Sequence, residues 1–150
     1  MFDFLEDPSV FDIWSQWGGL ETLLSYGIRS PLRASTYAKA QIATELREKL
    51  TSQQEFFSNL KLSFSFGDFF FVHAGVRPGV PLAQQEENDL LWIREEFLSS
   101  NQAFEKIIVH GHSPVVAPDV HANRINIDTG AYATGRLTCL VLQAQEQKFL

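Results

Sequence analysis

Cysteine is almost missing from this chain, since Cys139 is the only one in 150 residues. A lone thiol forms no intrachain disulfide, and it excludes a structural zinc site of the paired-cysteine kind. Within "RLTCLVL" it reads as a small buried hydrophobe, and a reducing cytoplasm is the expected compartment. Long apolar runs are missing as well. No stretch approaches the ~18 residues of a membrane span, and "MFDFLEDPSV" carries acids where a signal peptide would carry positive charge. No membrane partner is therefore expected. Basic residues are in deficit, twelve against eighteen acidic ones for a net charge of −6. A field of that sign repels polyanions, so nucleic acid is not an expected partner either. The histidines never stand in a His-x-x-x-His spacing, and no strand-nucleophile-helix elbow surrounds Ser113, which removes two common hydrolase sites. Repeats, low-complexity tracts and flexible linkers are also absent.

What is present is material for a core, with 45% hydrophobic and 13% aromatic residues. Up to about residue 58 the pattern is mainly helical. Between Asp3 and Gly27 short helices and turns are expected around Trp14 and Trp17, interrupted by Gly18-Gly19. From Tyr37 to Leu50 an amphipathic helix is predicted, because Ala38, Ile42, Leu46 and Leu50 recur at spacing four. From residue 59 onward the chain reads mainly as β. Leu62, Phe64 and Phe66 alternate with Lys61, Ser63 and Ser65, Gly67-Asp68 supplies a hairpin turn, and "FFFV" returns. Being apolar on both faces, that strand is expected inside a sheet covered on both sides. "VRPGVPLAQQEEND" reads as a loop and "LLWIREEFL" as a segment pinned to the core. "KIIV" is a second buried strand, and "RINID" and "RLTCLVLQ", joined by the turn "TGAYATG", complete the set. Strands mixed with helices predict an α/β or α+β layered fold.

Both buried strands end the same way, on histidine followed by small residues: "FFFVHAG" and "KIIVHGHS". Such an ending places an imidazole at the rim of a sheet, where small neighbours let an ion or another group approach the backbone. His73 and His112 are thus candidate ligands for Mn, Zn or Fe if their strands are neighbours, the competing reading being hydrogen-bonded histidines with no ligand. His110 precedes His112 by two, so on an extended strand it would face the same side and offer a supporting hydrogen bond or a phosphate contact. Tyr132 would either border the site from the turn after Gly130 or pack. His121, in "APDVHANR", reads as a surface residue.

The motifs "FVHAGVRPG", "DLLWIREEF", "IVHGHSP" and "INIDTGAYATGRLTCL" resemble, in order and spacing, the C-terminal half of bacterial PPP-type serine/threonine phosphatases, which are calcineurin-like metallophosphoesterases. "WGGLETLLSYG" is similar to their bacterial branch. The resemblance implies a single partial domain over residues 1–150, the C-terminal half of a four-layer αββα sandwich with a helical segment at its N-terminus. It implies that His73 and His112 hold the second of two divalent ions, Mn first and Zn or Fe as alternatives, and that Arg94 grips the phosphoryl oxygens. Without that assignment Arg94 would read as an ion-pair partner of Glu86, Glu87 or Glu95. The substrate class implied is a phosphoprotein or a phosphorylated small molecule, dinucleoside polyphosphates included.

The family's Gly-Asp-x-His-Gly, Gly-Asp-x-x-Asp-Arg-Gly and Gly-Asn-His-Glu motifs do not occur in this sequence. They carry the first-metal ligands, the bridging carboxylate and the general acid. The expectation is accordingly a C-terminal part of a phosphatase, inactive by itself. The alternative is a non-catalytic interaction domain whose unpaired sheet edges favour self-association or a partner.

Overall fold

The computed structural model describes residues 1–30, 34–143 and 146–150. They fall into two compact units, Met1–Leu60 and Lys61–Leu150, divided where the period of the sequence changes.

The first unit is helical: α1 (Phe2–Glu6), α2 (Phe11–Trp14), α3 (Gly19–Ser25), α4 (Thr36–Leu50) and α5 (Gln54–Ser58). The spacing-four stripe of α4 buries Ile42, Leu46 and Leu50, with Ala43 beside them. Burial of each large aliphatic side chain contributes roughly 1.5–3 kcal/mol. Ser35 caps the helix, its Oγ accepting from the Ala38 amide at 3.2 Å, and Arg47 and Lys49 lie in the last turn, where the helix dipole favours cations. Against α4 pack Phe4, Phe11 and Leu23, and the Trp14 ring stacks on Phe4 at 4.7 Å.

The second unit is built on a five-stranded mixed sheet, β1 (Ser63–Phe66), β2 (Phe69–Val72), β3 (Ile107–His110), β4 (Asp119–Val120) and β5 (Arg124–Asn126), in the spatial order β1-β2-β3-β5-β4. The central three strands are parallel, and β1 and β4 close the edges antiparallel. The unit is therefore α+β. Its helices α6 (Glu87–Trp92) and α7 (Glu95–Leu98) cover one face, where Phe70 and Ile108 pack with Leu90, Ile93 and Phe97. None of the described helices is long and apolar enough to cross a membrane.

Five expectations need correction. β2 is interior to the sheet, but it is not covered on both sides: Phe70 is 6% exposed, whereas Phe69 and Phe71 on the other face are half-buried. The same register puts the phenylalanines of β1 on that open face, with Phe64 55% and Phe66 72% exposed. Alternation fixes which residues share a face, and only the covering layer decides which face is buried. The "TGAYATG" turn contains a short helix, α8 (Ala131–Thr134). "RLTCLVLQ" does not extend the main sheet; its β6 (Leu140–Gln143) pairs with β7 (Glu146–Phe149) as a separate ribbon. Two strands bury little of themselves, so Cys139, expected in a core, is exposed. The segment read as one loop before "LLW" turns helical at Glu87, which places Glu87 and Asp89 in the first turn of α6, where the dipole favours acids.

Candidate functional site

Parallel β2 and β3 are neighbours, so the chain leaves both at the same edge of the sheet, the edge where open α/β sheets gather ligands. His73 is the first residue past β2, and Gly111-His112 are the first past β3. The Gly111 amide donates to the His73 carbonyl at 2.9 Å, extending the ladder by one rung beyond the strands. There the backbone turns sharply. His112 has φ 64°, the only non-glycine residue in the left-handed region among those described, and the Ser113 amide donates to the Gly111 carbonyl at 2.7 Å. An L-residue in that conformation costs about 1–2 kcal/mol, and here it swings the His112 ring back across to β2.

The result is a facing pair of imidazoles. His73 Nε2 lies 3.0 Å from His112 Nδ1, with the ring centroids 4.8 Å apart. In neutral rings one nitrogen donates its proton to the other. Alternatively both lone pairs can turn to one cation: two nitrogens each about 2.1 Å from a metal, at an angle of 90–109°, stand about 3.0–3.4 Å apart. The pair fits that requirement. His112 Nε2 is buried and has no hydrogen-bond partner among the described residues, and the Trp92 ring meets the imidazole edge-on at 5.6 Å. Burial lowers the His112 pKa, helped by the charges of Arg94 and His73 and opposed by Asp128. A ring kept neutral has its lone pair free for a ligand.

Arg94 enters from the corner between α6 and α7. Its Nη1 donates to the His112 carbonyl and to Ser113 Oγ, both at 3.3 Å, leaving the rest of an exposed guanidinium toward solvent. The described structure gives it no ion pair with Glu86, Glu87 or Glu95. The two imidazoles, the guanidinium and Ser113 thus converge on one rim, beside an open groove of about 410 Å³ along Phe71, Val109, Ile127 and Leu137. A larger hollow of about 570 Å³ lies at the opposite ends of the strands, near Asp68, Lys106 and Asn123. It borders His121 but neither strand-end histidine, so the chemistry favours the smaller groove.

Two other expected site residues do not join the cluster. The reading of His110 assumed an extended chain through His112, and the left-handed turn breaks that relation. His110 instead points to the helix-covered side, 1% exposed, its ring edge-on to Phe97 at 4.9 Å. Desolvation lowers its pKa to about 4, against a weaker opposing bond to the Gly111 carbonyl, so it is a neutral core histidine. Tyr132 is 89% exposed on α8 and neither packs nor reaches the imidazoles by any described contact. His121 is a surface residue bound to Asp119 at 2.9 Å.

Sequence reasoning missed the cluster in which Arg77 pairs with both Asp89 and Glu96. Their separations of 12 and 19 residues leave no local signal. Among the described residues no group of three or more His, Cys, Asp or Glu side chains is placed to hold a metal ion. No known family model matches the chain, and no curated protein matches it.

Proposed function

We propose that this chain carries the histidine portion of a two-metal phosphomonoesterase centre, of the serine/threonine phosphatase type that its strand-end motifs resemble, on a sheet that forms half of a four-layer sandwich. The observation that carries the reading is the 3.0 Å approach of His73 Nε2 to His112 Nδ1. His73 and His112 would hold one divalent ion, Mn, Zn or Fe, whose chemistry is to activate water and to draw charge from a phosphoryl oxygen. Arg94 would bind the phosphoryl oxygens through its planar fork. His110, being buried on the far face, is given no part in the chemistry, and Tyr132 none in binding.

Two imidazoles fill only part of a four- to six-ligand shell. The family motifs that would supply the bridging carboxylate and the completing asparagine do not occur in this sequence, so the chain alone should bind a divalent ion without turning over a phosphate ester. Isothermal titration with Mn and Zn tests the metal half of the reading. His73→Ala and His112→Ala should each weaken binding by at least about tenfold, equivalent to the loss of one ligand, while His121→Ala should leave it unchanged. Equal binding by all four proteins would remove the basis of the proposal.

The second reading, a non-catalytic interaction domain, draws on the open sheet face at Phe64 and Phe66. It gains if the parent chain takes up no divalent ion.

A further inference from the structure

Arg94 is held weakly by its own side chain, through two 3.3 Å bonds from one nitrogen. Its aim therefore depends on the backbone that presents it. That backbone is a corner: α6 ends at Trp92, Arg94 has φ −131° and ψ −103°, and α7 begins at Glu95. Neither helix is long enough to fix the angle by itself.

Arg77 spans this corner. Its Nε and Nη2 donate to the two oxygens of Asp89 at 2.7 and 2.6 Å, and its Nη1 donates to both oxygens of Glu96 at 3.0 Å. Asp89 lies in the first turn of α6 and Glu96 in the first turn of α7. Arg77 is itself fixed from behind, because the Gln85 side chain accepts from its amide at 2.7 Å and donates to its carbonyl at 3.1 Å. An ion pair between two solvent-exposed side chains contributes little. Asp89 differs because its side chain is 5% exposed, and a buried carboxylate deprived of its cation is strongly destabilising. Without the guanidinium, two carboxylates that now share it would repel across the corner.

We infer that Arg77 is a positioning residue: by tying Asp89 to Glu96 it sets the α6–α7 angle and so directs Arg94 to the strand-end histidines. The use of Arg94 for phosphate rests on the proposed function, whereas the geometry of the corner does not.

The test is nitrogen-15 NMR of the chain with Arg77→Gln and, as a milder variant at an exposed position, Glu96→Gln. The amides of Phe97 and Leu98 donate to the Arg94 carbonyl at 3.0 and 2.9 Å and report the corner directly. In Arg77→Gln their hydrogen exchange should accelerate at least about tenfold, and the Arg94 Nη1–H resonance should move to the position of an unbound arginine. Glu96→Gln should shift both the same way by less, and β3 amides should stay protected in both variants. Affinity for inorganic phosphate, followed on the Arg94 signal, should fall about tenfold in Arg77→Gln. Unchanged corner exchange and an unmoved Arg94 signal in both variants would overturn the inference, as would undiminished phosphate binding despite an opened corner. If the parent chain takes up no phosphate while Arg94 moves as expected in the variants, the phosphate role of Arg94 falls and the positioning role stands.

Discussion

At the scale of single residues, the two histidines of "HGH" divide their work because one backbone angle separates them. His112, at φ 64°, is thrown out to the rim, and His110 stays in the strand and turns into the core. Glycine adopts positive φ freely where alanine does not. His112→Gly should therefore be more stable than His112→Ala by about 1 kcal/mol, measured as the difference in urea unfolding; equality would mean that the turn relaxes in the variants. His110 makes the opposite kind of statement, about acid. Its folded pKa of about 4 lies below the ordinary value of 6.5, so the unfolded chain takes up a proton that the folded chain refuses. Its contribution is complete above about pH 6.5 and is lost as pH falls toward 4, by about 3 kcal/mol over the whole interval. With chelator present, thermal unfolding should show destabilisation between pH 7 and 5, and His110→Gln should flatten that dependence. A parent and variant with parallel profiles would assign the acid sensitivity to other groups.

At the scale of elements, the site depends on how closely α7 lies under the end of β2. A Cβ built on Gly75 would stand 2.3 Å from Phe97 Cδ1, a distance no side chain tolerates. Phe97 is fully buried and also touches His110 and Phe104, so it has little room to yield. Gly75→Ala should destabilise the chain by about 1–3 kcal/mol, the usual effect of overpacking, with the loss read from chemical denaturation. Phe97→Ala should cost about 3–5 kcal/mol. A neutral Gly75→Ala would show that α7 can ride outward freely, and a rigid α6–α7 corner would then have lost its floor. The elements themselves were largely readable. The α4 stripe and the β1–β2 hairpin at Gly67-Asp68 follow from local period and turn chemistry, which need no distant partner. The ribbon of β6 and β7 was not, because "EQKF" has only Phe149 as an apolar residue, shows no alternation, and gains strand geometry only by pairing.

For the molecule as a whole, the sheet of the second unit is finished on one face and partly open on the other. Leu62, Phe64 and Phe66 are 41%, 55% and 72% exposed, and Phe64 leans on the half-buried Phe71 with ring centroids 6.2 Å apart. Contiguous aromatic surface of this kind is uncommon on a water-facing sheet. Phe64→Thr with Phe66→Thr should lower binding of a hydrophobic dye severalfold. Because the rings bury little, the unfolding midpoint should shift by no more than about 0.5 kcal/mol equivalent. A large loss of stability instead would mean that the rings are packed in solution.

By itself the sequence determined the change of period near Leu60, the helix stripe, the hairpin and the two strand ends that present His73 and His112, because each is written in neighbouring residues whose spacing matches a helix turn or a pleat. Tertiary structure alone decided that β2 and β3 are neighbours and parallel, and it is this pairing that closes 39 residues of chain to a 3.0 Å contact. It also decided that His110 faces the helices, that Cys139 is exposed, and that Arg77 finds two carboxylates across a corner. These outcomes depend on which surface another layer covers and on contacts far apart along the chain, and local period carries no information about either.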